Sequence, residues 1–317
     1  MKKKILVTYN LDKSIFKTLE SDFELTYPQG ESMSKEQVLN VISEYDVLIP
    51  NFGFYTDREI LNKADKLKLI ANFGVGYNNI DVDYATQRNI IVTNTPQSVL
   101  EPTAELTFGL MNAVARNIGF YNNKLRTPQG LSWKLYDNLG VSMYGKTLGI
   151  LGMGRIGQAV ARRALAAGMQ IIYHNRHQIS ADIENKYSAK YVSFEDLLSE
   201  SDFLTLHAPA TDQTKHIINK QSIAKMKNGA ILVNVARGSL VDETALIEAL
   251  KNKKLFGAGL DVYENEPHIN PQFFELDNIV LTPHAGTQTL EARRDMQIEV
   301  LKNIVRFYSN EKIARVN

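Results

Sequence analysis

The 317-residue sequence predicts an α/β protein made of two doubly wound, parallel-sheet domains. Three observations carry that prediction. Short apolar runs alternate with helical patterns along the whole chain, which is the rhythm of βαβ units and hence of parallel sheets. A glycine-rich turn lies in mid-chain between a strand pattern and a helix pattern. The stretch ahead of the unit built around that turn is too long for a linker, so it forms a domain of its own, and the chain is long enough for two separate cores.

The first domain reads as strand 5–7, helix 11–19, strand 23–27 and a helix opened by the capping box Ser34-Lys35-Glu36-Gln37. Then come strand 47–49, a helix opened by a second box at Thr56-Asp57-Arg58-Glu59, strand 67–73, helix 82–88 and strand 90–93. Pro102 suits a first helical turn, and the spacing of Ala104, Leu106, Leu110 and Val114 carries that helix to Tyr121, bridging the domains. Strand 147–151 and helix 158–167 flank the glycine turn. Further strands follow at 170–173, 203–207, 230–235, 258–262 and 279–282. A last helix at 290–308 is expected to return to the first domain, making it discontinuous.

The turn itself is Gly152-Met153-Gly154-Arg155-Ile156-Gly157. Between a strand and a helix, its first glycine permits the tight bend, its second lets backbone approach a pyrophosphate, and its third lets helix pack on sheet. Arg155 and Ile156 open a helix whose N–H groups and positive dipole end would face the phosphates. The expected architecture is therefore a Rossmann dinucleotide-binding domain, residues 100–285, inserted in a discontinuous flavodoxin-like substrate or lid domain, residues 1–99 and 286–317.

Composition narrows the function classes. Hydrophobic residues make up 44% and charged residues 22%, and 36 basic against 35 acidic side chains leave a net charge of only +1. Neither a nucleic-acid surface nor a polybasic membrane anchor fits that balance. The absence of cysteine excludes disulfides, thiolate metal sites and a cysteine nucleophile, and it is compatible with a reducing compartment. The basic start Met1-Lys2-Lys3-Lys4 is followed by an apolar run too short for a signal peptide, and no stretch reaches membrane-span length, so a cytoplasmic location is expected.

Arg237, Glu266 and His284 each follow a predicted strand of the second domain, where an open α/β sheet forms its ligand crevice. A guanidinium can hold a carboxylate and a carbonyl oxygen through parallel N–H bonds. A histidine can give a proton to a carbonyl oxygen and take it back, and a carboxylate on its other nitrogen favours the imidazolium. Taken singly, a strand-end arginine is ordinarily a solvated charge and a lone histidine a core or surface residue.

Together with their surroundings these residues resemble the D-isomer-specific 2-hydroxyacid dehydrogenase family along nearly the whole chain. The matching passages are residues 145–157, 226–238, 260–267 and 282–286, among them Asn234-Val235-Ala236-Arg237-Gly238, Tyr263-Glu264-Asn265-Glu266-Pro267 and Thr282-Pro283-His284-Ala285-Gly286. The resemblance implies that Arg237 binds substrate, that Glu266 supports His284, and that His284 is the general acid/base. It makes Gly74-Val75-Gly76-Tyr77-Asn78-Asn79-Ile80-Asp81 a loop whose Val75 and Gly76 N–H groups hold the substrate carboxylate; from residues alone it is a turn rich in Gly and Asn. It also assigns Thr103, His207, Ala208, Pro209, Val235, Ala236, Asp261 and Gly286 to the cofactor groove, beside Gly152, Gly154, Arg155, Ile156 and Gly157. Asp261 alone would read as a cap or loop residue, and His207 as a satisfied strand-end histidine.

The second strand of the dinucleotide domain ends at Asn175 and Arg176, where an NAD enzyme usually places a carboxylate for the ribose 2′-hydroxyl. A guanidinium can pair with a 2′-phosphate, so NADP(H) is favoured over NAD(H). In relatives the region around Trp133 embraces a second subunit, which implies a homodimer; the alternative is local core packing. The expected reaction is reduction of a small 2-keto acid, such as glyoxylate or hydroxypyruvate, to the D-2-hydroxy acid, with domain closure and no metal. The resemblance is nearest the glyoxylate/hydroxypyruvate reductase branch. Alternatives are a phosphite- or formate-type dehydrogenase, the latter disfavoured by Glu266, and a dinucleotide-sensing corepressor-like protein, disfavoured by the lack of a tail beyond Asn317.

Overall fold

A computed structural model describes residues 2–317. It divides into two compact units, one of the chain up to Val99 together with Gln288–Asn317, the other of Leu100–Thr287.

The first unit alternates strands β1 (Lys3–Val7), β2 (Phe23–Thr26), β3 (Val47–Ile49), β4 (Leu69–Ala71) and β5 (Ile91–Thr93) with helices α1 (Lys13–Phe16), α2 (Lys35–Leu39), α3 (Arg58–Lys63) and α4 (Val82–Gln87). Its sheet has the order β2-β1-β3-β4-β5 with every pair parallel. Helices cover both faces, so successive strand residues are buried on opposite sides: Ile5 and Val7 face one cluster, Leu6 the other. Much of the first cluster comes from the far end of the chain, through Met296, Val300 and Ile304 of the last helix, Leu290–Tyr308. The backbone of Val316 and the side chain of Asn317 bond to Val92, covering the β5 edge.

In the second unit come α5 (Leu100–Ala115), α6 (Ile118–Leu125), β6 (Thr147–Leu151), α7 (Arg155–Ala166), β7 (Gln170–His174), α8 (Ala181–Tyr187) and β8 (Ala189–Tyr191). They are followed by α9 (Phe194–Glu200), β9 (Phe203–Leu206), α10 (Lys220–Lys225), β10 (Ala230–Asn234), α11 (Glu243–Lys251), β11 (Leu255–Leu260) and β12 (Ile279–Leu281). The seven strands lie in the order β12-β11-β10-β9-β6-β7-β8, again wholly parallel. The order reverses between β6 and β9, the position at which open α/β sheets bind ligands beyond the carboxyl ends of their strands. Glycines in β11 let α5 lie directly on the sheet: a Cβ on Gly257 would stand 2.7 Å from Val114 Cγ1, and one on Gly259 3.0 Å from Leu110 Cβ.

Three local expectations are corrected. The helix expected at 11–19 is a single α-turn, Lys13–Phe16, continued as a 3₁₀ helix. The box at Ser34 and Gln37 forms, but the one at Thr56 does not. Asp57 caps α3 by accepting from Ile60 N–H, while Glu59 pairs with Lys35 at 2.6 Å. The long helix begins at Leu100 and breaks after Ala115, because Asn117 adopts a left-handed φ of 52°, and Tyr121 belongs to the next helix. It belongs to the second unit from its first residue. Short edge strand β8 carries no alternation that the sequence could reveal.

Candidate active site

The three glycines of the mid-chain turn do three different jobs. Gly152 has φ of 101°, and a Cβ there would meet Ala208 N and His207 C at 2.6 Å, so only glycine lets the turn close against the end of β9. Gly157 packs its bare Cα under the Gly152 carbonyl and Ile150. Around Gly154, by contrast, a Cβ would find nothing within 4 Å. Gly154 is also the N-cap of α7 and supplies no side-chain cap, so the first N–H groups of that helix point outward with the positive dipole end behind them. An open backbone face at an uncapped helix start, beside the sheet's reversal point, fits a pyrophosphate. The residues present therefore suit a dinucleotide.

At the end of β7, Asn175 Oδ1 accepts from Met153 N–H at 2.7 Å, so this side chain braces the glycine turn. Arg176 follows it, and among the described residues neither Arg155 nor Arg176 lies within 4.0 Å of a carboxylate. Across the reversal point, His207 follows β9 with its Nε2 buried and lacking a hydrogen-bond partner, and burial drives its pKa down to about 3. Its imidazole is neutral.

Arg237 is presented by a turn that its own neighbours lock. Asn234, buried at the end of β10, accepts from Ala236 N–H and donates to the Arg237 carbonyl at 2.9 Å, while the Arg237 guanidinium bonds the Ala236 carbonyl at 2.6 Å. Burial lowers the pKa of Arg237, and the charge of Glu266 opposes that shift. The guanidinium nevertheless stays charged.

Glu266 and His284 meet at 2.7 Å, Glu266 Oε2 against His284 Nδ1. The other Glu266 oxygen accepts from Tyr263 N–H at 3.0 Å. Burial by itself would raise this carboxyl's pKa, but the bond and charge of His284, the Tyr263 amide and the Arg237 charge outweigh it, and the net shift is downward. His284 has a left-handed φ of 54° and donates its N–H to the Asp261 carbonyl at 2.9 Å. The next two amides, Ala285 and Gly286, donate to the Asp261 carboxylate at 2.7 and 2.9 Å, and Thr282 Oγ1 joins them at 2.6 Å. Asp261 is thus the anchor of the segment that carries His284, a role that its position after a strand did not reveal.

In the first unit, the loop after β4 has its carbonyls turned inward. Asn72 Nδ2 donates to the carbonyls of Gly74 and Gly76, Thr95 N–H to Gly74, and Asn94 Nδ2 to Val75. Among the described residues the amides of Val75 and Gly76 meet no protein acceptor. Such a pair of outward N–H groups is suited to an anion.

Residues 108–286, more than half of the chain, match the family described as D-isomer specific 2-hydroxyacid dehydrogenase, NAD binding domain. The chain belongs to that family. A glyoxylate reductase of Pyrococcus horikoshii is 41% identical over 98% of this chain and 94% of its own length. Among solved structures, a glyoxylate reductase from Paecilomyes thermophila superposes with a TM-score of 0.91 at 36% identity, covering 99% of this chain and 98% of that one. An NADPH-dependent glyoxylate/hydroxypyruvate reductase from Sinorhizobium meliloti, in complex with citrate, gives 0.87 at 29% identity over 99% and 98%. The protein is an NAD(P)-dependent 2-hydroxyacid dehydrogenase that reduces small 2-keto acids.

In this dehydrogenase, Arg237, Glu266 and His284 converge within one unit, as do the glycine turn, Asn175, His207 and Asp261, while Val75 and Gly76 belong to the other. Thr103 Oγ1 and Asp261 Oδ2 both border the site of Gly286, where a Cβ would stand 3.3 and 3.4 Å from them. Asn234 and Asn72 were missed; each is a buried polar residue inside an apolar run, the only signal the sequence offered. Trp133 is 92% exposed, so the alternative of local core packing is set aside. Among the described residues no helix is long and apolar enough to cross a membrane, and no cluster of three or more His, Cys, Asp or Glu is placed to hold a metal ion.

Proposed function

We propose that the protein is a glyoxylate/hydroxypyruvate-type reductase in which Arg237, Glu266 and His284 are the catalytic groups. The observation that carries the reading is the 2.7 Å contact of Glu266 with His284 Nδ1, made beside the partly buried Arg237. With Nδ1 engaged by a carboxylate, Nε2 is the atom that exchanges a proton with the substrate oxygen. Arg237 fits the keto acid's carboxylate and carbonyl oxygens, and the Val75 and Gly76 amides suit the same carboxylate from the first unit, which serves as the substrate domain. A nicotinamide dinucleotide held by the Gly152, Gly154 and Gly157 turn would supply the hydride. Val235, Ala236, Ala208 and Pro209 belong to that groove in the same reading.

NADP(H) is the favoured cofactor. It is supported by the lack of a carboxylate at the end of β7, by Arg155 and Arg176, neither of which pairs with a carboxylate among the described residues, and by the NADPH dependence of the Sinorhizobium meliloti reductase. A homodimer is supported by the exposed Trp133, Leu135, Tyr136 and Tyr144 between α6 and β6. A cytoplasmic location is in keeping with the absence of cysteine. The test is steady-state turnover of glyoxylate, hydroxypyruvate and pyruvate with NADPH and with NADH, for the wild type and for His284→Ala. Glyoxylate or hydroxypyruvate should be preferred, NADPH should lead in kcat/KM, and His284→Ala should lower kcat by about 10² or more. Turnover of His284→Ala within a few-fold of wild type would assign the proton to another group, and a tenfold preference for NADH would reverse the cofactor assignment.

A further inference from the structure

The loop from Asp261 to Pro267 carries two glutamates two residues apart, and each meets an imidazole. Glu266 faces His284, and Glu264 Oε1 faces His216 Nε2. We propose that His216 and Glu264 form a second imidazole–carboxylate pair that positions Glu266, an inference that rests on reading Glu266 and His284 as the proton-transfer pair.

Glu264 and Glu266 stand two residues apart in one turn, the first engaged by His216 and the second by His284. Engaging both carboxylates holds this short turn at two points, so the contact at Glu264 limits how far the backbone carrying Glu266 can shift from His284. The two histidines share a further feature. His216 has φ of 49° and His284 φ of 54°, in the left-handed region that L side chains rarely adopt. Such backbone persists where surrounding structure fixes it, and it clusters at functional sites. His216 is fixed on both sides, its N–H donating to the Ser239 carbonyl at 2.8 Å and its carbonyl accepting from Asn219 Nδ2 at 2.9 Å.

The loop is also held from beneath. Glu264 N–H donates at 2.9 Å to Oε1 of Glu243, a buried carboxylate whose pKa is raised first by burial and further by the charge of Glu264. Gly238, next to Arg237, leaves no room for a Cβ against the Tyr263–Glu264 peptide, so the loop lies directly on the turn that presents the guanidinium. His216 thus ties the segment that follows β9 to the loop carrying Glu266, and it is a positioning residue rather than a catalytic one.

The experiment compares Glu264→Ala, Glu264→Gln and His216→Gln with wild type in the full chain. It measures kcat, KM for keto acid and for NADPH, the pH profile of reduction, and the thermal midpoint. Glu264→Ala should lower kcat about tenfold or more, as for removal of other groups that orient a site residue. KM for NADPH should stay within about twofold, and the pH at which reduction falls off should move down, because the imidazolium of 284 is less well held. Glu264→Gln, whose amide oxygen still accepts from an imidazole N–H, should recover most of kcat. An unchanged pH profile in Glu264→Ala overturns the proposal, as does a loss of kcat in Glu264→Gln equal to that in Glu264→Ala. Should Glu264→Ala fail to fold, His216→Gln carries the same pH test. If His284→Ala keeps wild-type turnover, the proton-transfer pair itself fails. If His284→Ala is inactive while the Glu264 variants match wild type, only the positioning role fails.

Discussion

At the residue scale, the proton chemistry is set by which charges face one another. Glu266 meets His284 Nδ1 at 2.7 Å, and on the proposed reading this contact supports proton donation by His284, so Glu266→Gln should shift the high-pH loss of reductase activity to lower pH. A pH–rate profile of the variant checks this; coincident profiles would separate the two residues. His207 makes a different prediction, about stability. Its pKa falls from 6.5 to about 3 on burial, so folding favours the neutral ring. That contribution is complete above pH 6.5 and is lost as pH falls toward 3, because the unfolded chain takes up a proton that the folded chain refuses. His207→Gln should therefore flatten the slope of unfolding free energy against pH over this window, as read by denaturant titrations at several pH values. Arg237, Glu266 and His284 stood out in the sequence because each is an ionisable group following an apolar strand run. Asp261 was legible only as a polar strand-end residue, since its carboxylate serves amides that lie 24 and 25 residues further on.

At the level of elements, capping was easier to recognise than to place. Thr56 and Asp57 are both competent N-caps, and the sequence pattern favours Thr56 because Glu59 follows three residues later. In the fold Thr56 is fully buried, its hydroxyl lacks a partner among the described residues, and its N–H is taken by the Asn79 carbonyl. Asp57→Ala should cost about 1 kcal/mol, whereas Thr56→Val, which removes an unsatisfied buried hydroxyl, should leave stability equal or higher. Chemical denaturation of the two variants checks the contrast. Gly257→Ala should cost about 1–3 kcal/mol by the same measurement, because its Cβ would press on the Asn278 carbonyl and Val114. The break at Asn117 escaped the periodicity because Asn tolerates the left-handed region while the apolar spacing runs on past it. Strand β8 escaped because a three-residue edge strand is too short to display a period.

Across the whole molecule, the alternation of strands and helices carried the prediction of two parallel sheets, since both sheets are covered on both faces and their strands are nearly continuous apolar runs. The stretch between α6 and β6 did not follow from such rules: Val141 and Met143 join a core cluster, whereas Trp133, Leu135 and Tyr136 belong to none. Trp133, Leu135 and Tyr136 are 92, 78 and 80% exposed, and burying such a patch against a second copy would remove it from water. Sedimentation of the wild type should give a dimer, and replacing all three by Lys should give a monomer. A wild-type monomer at micromolar concentration would refute the assembly.

Because Met296, Val300 and Ile304 complete the core of a unit begun at β1, the segment up to Val99 cannot close that core until the last helix is made. On the ribosome, the contiguous stretch Leu100–Thr287 can close its sheet while the earlier strands still wait with one apolar face uncovered. During that interval the nascent N-terminal segment keeps apolar surface exposed, the condition that favours aggregation.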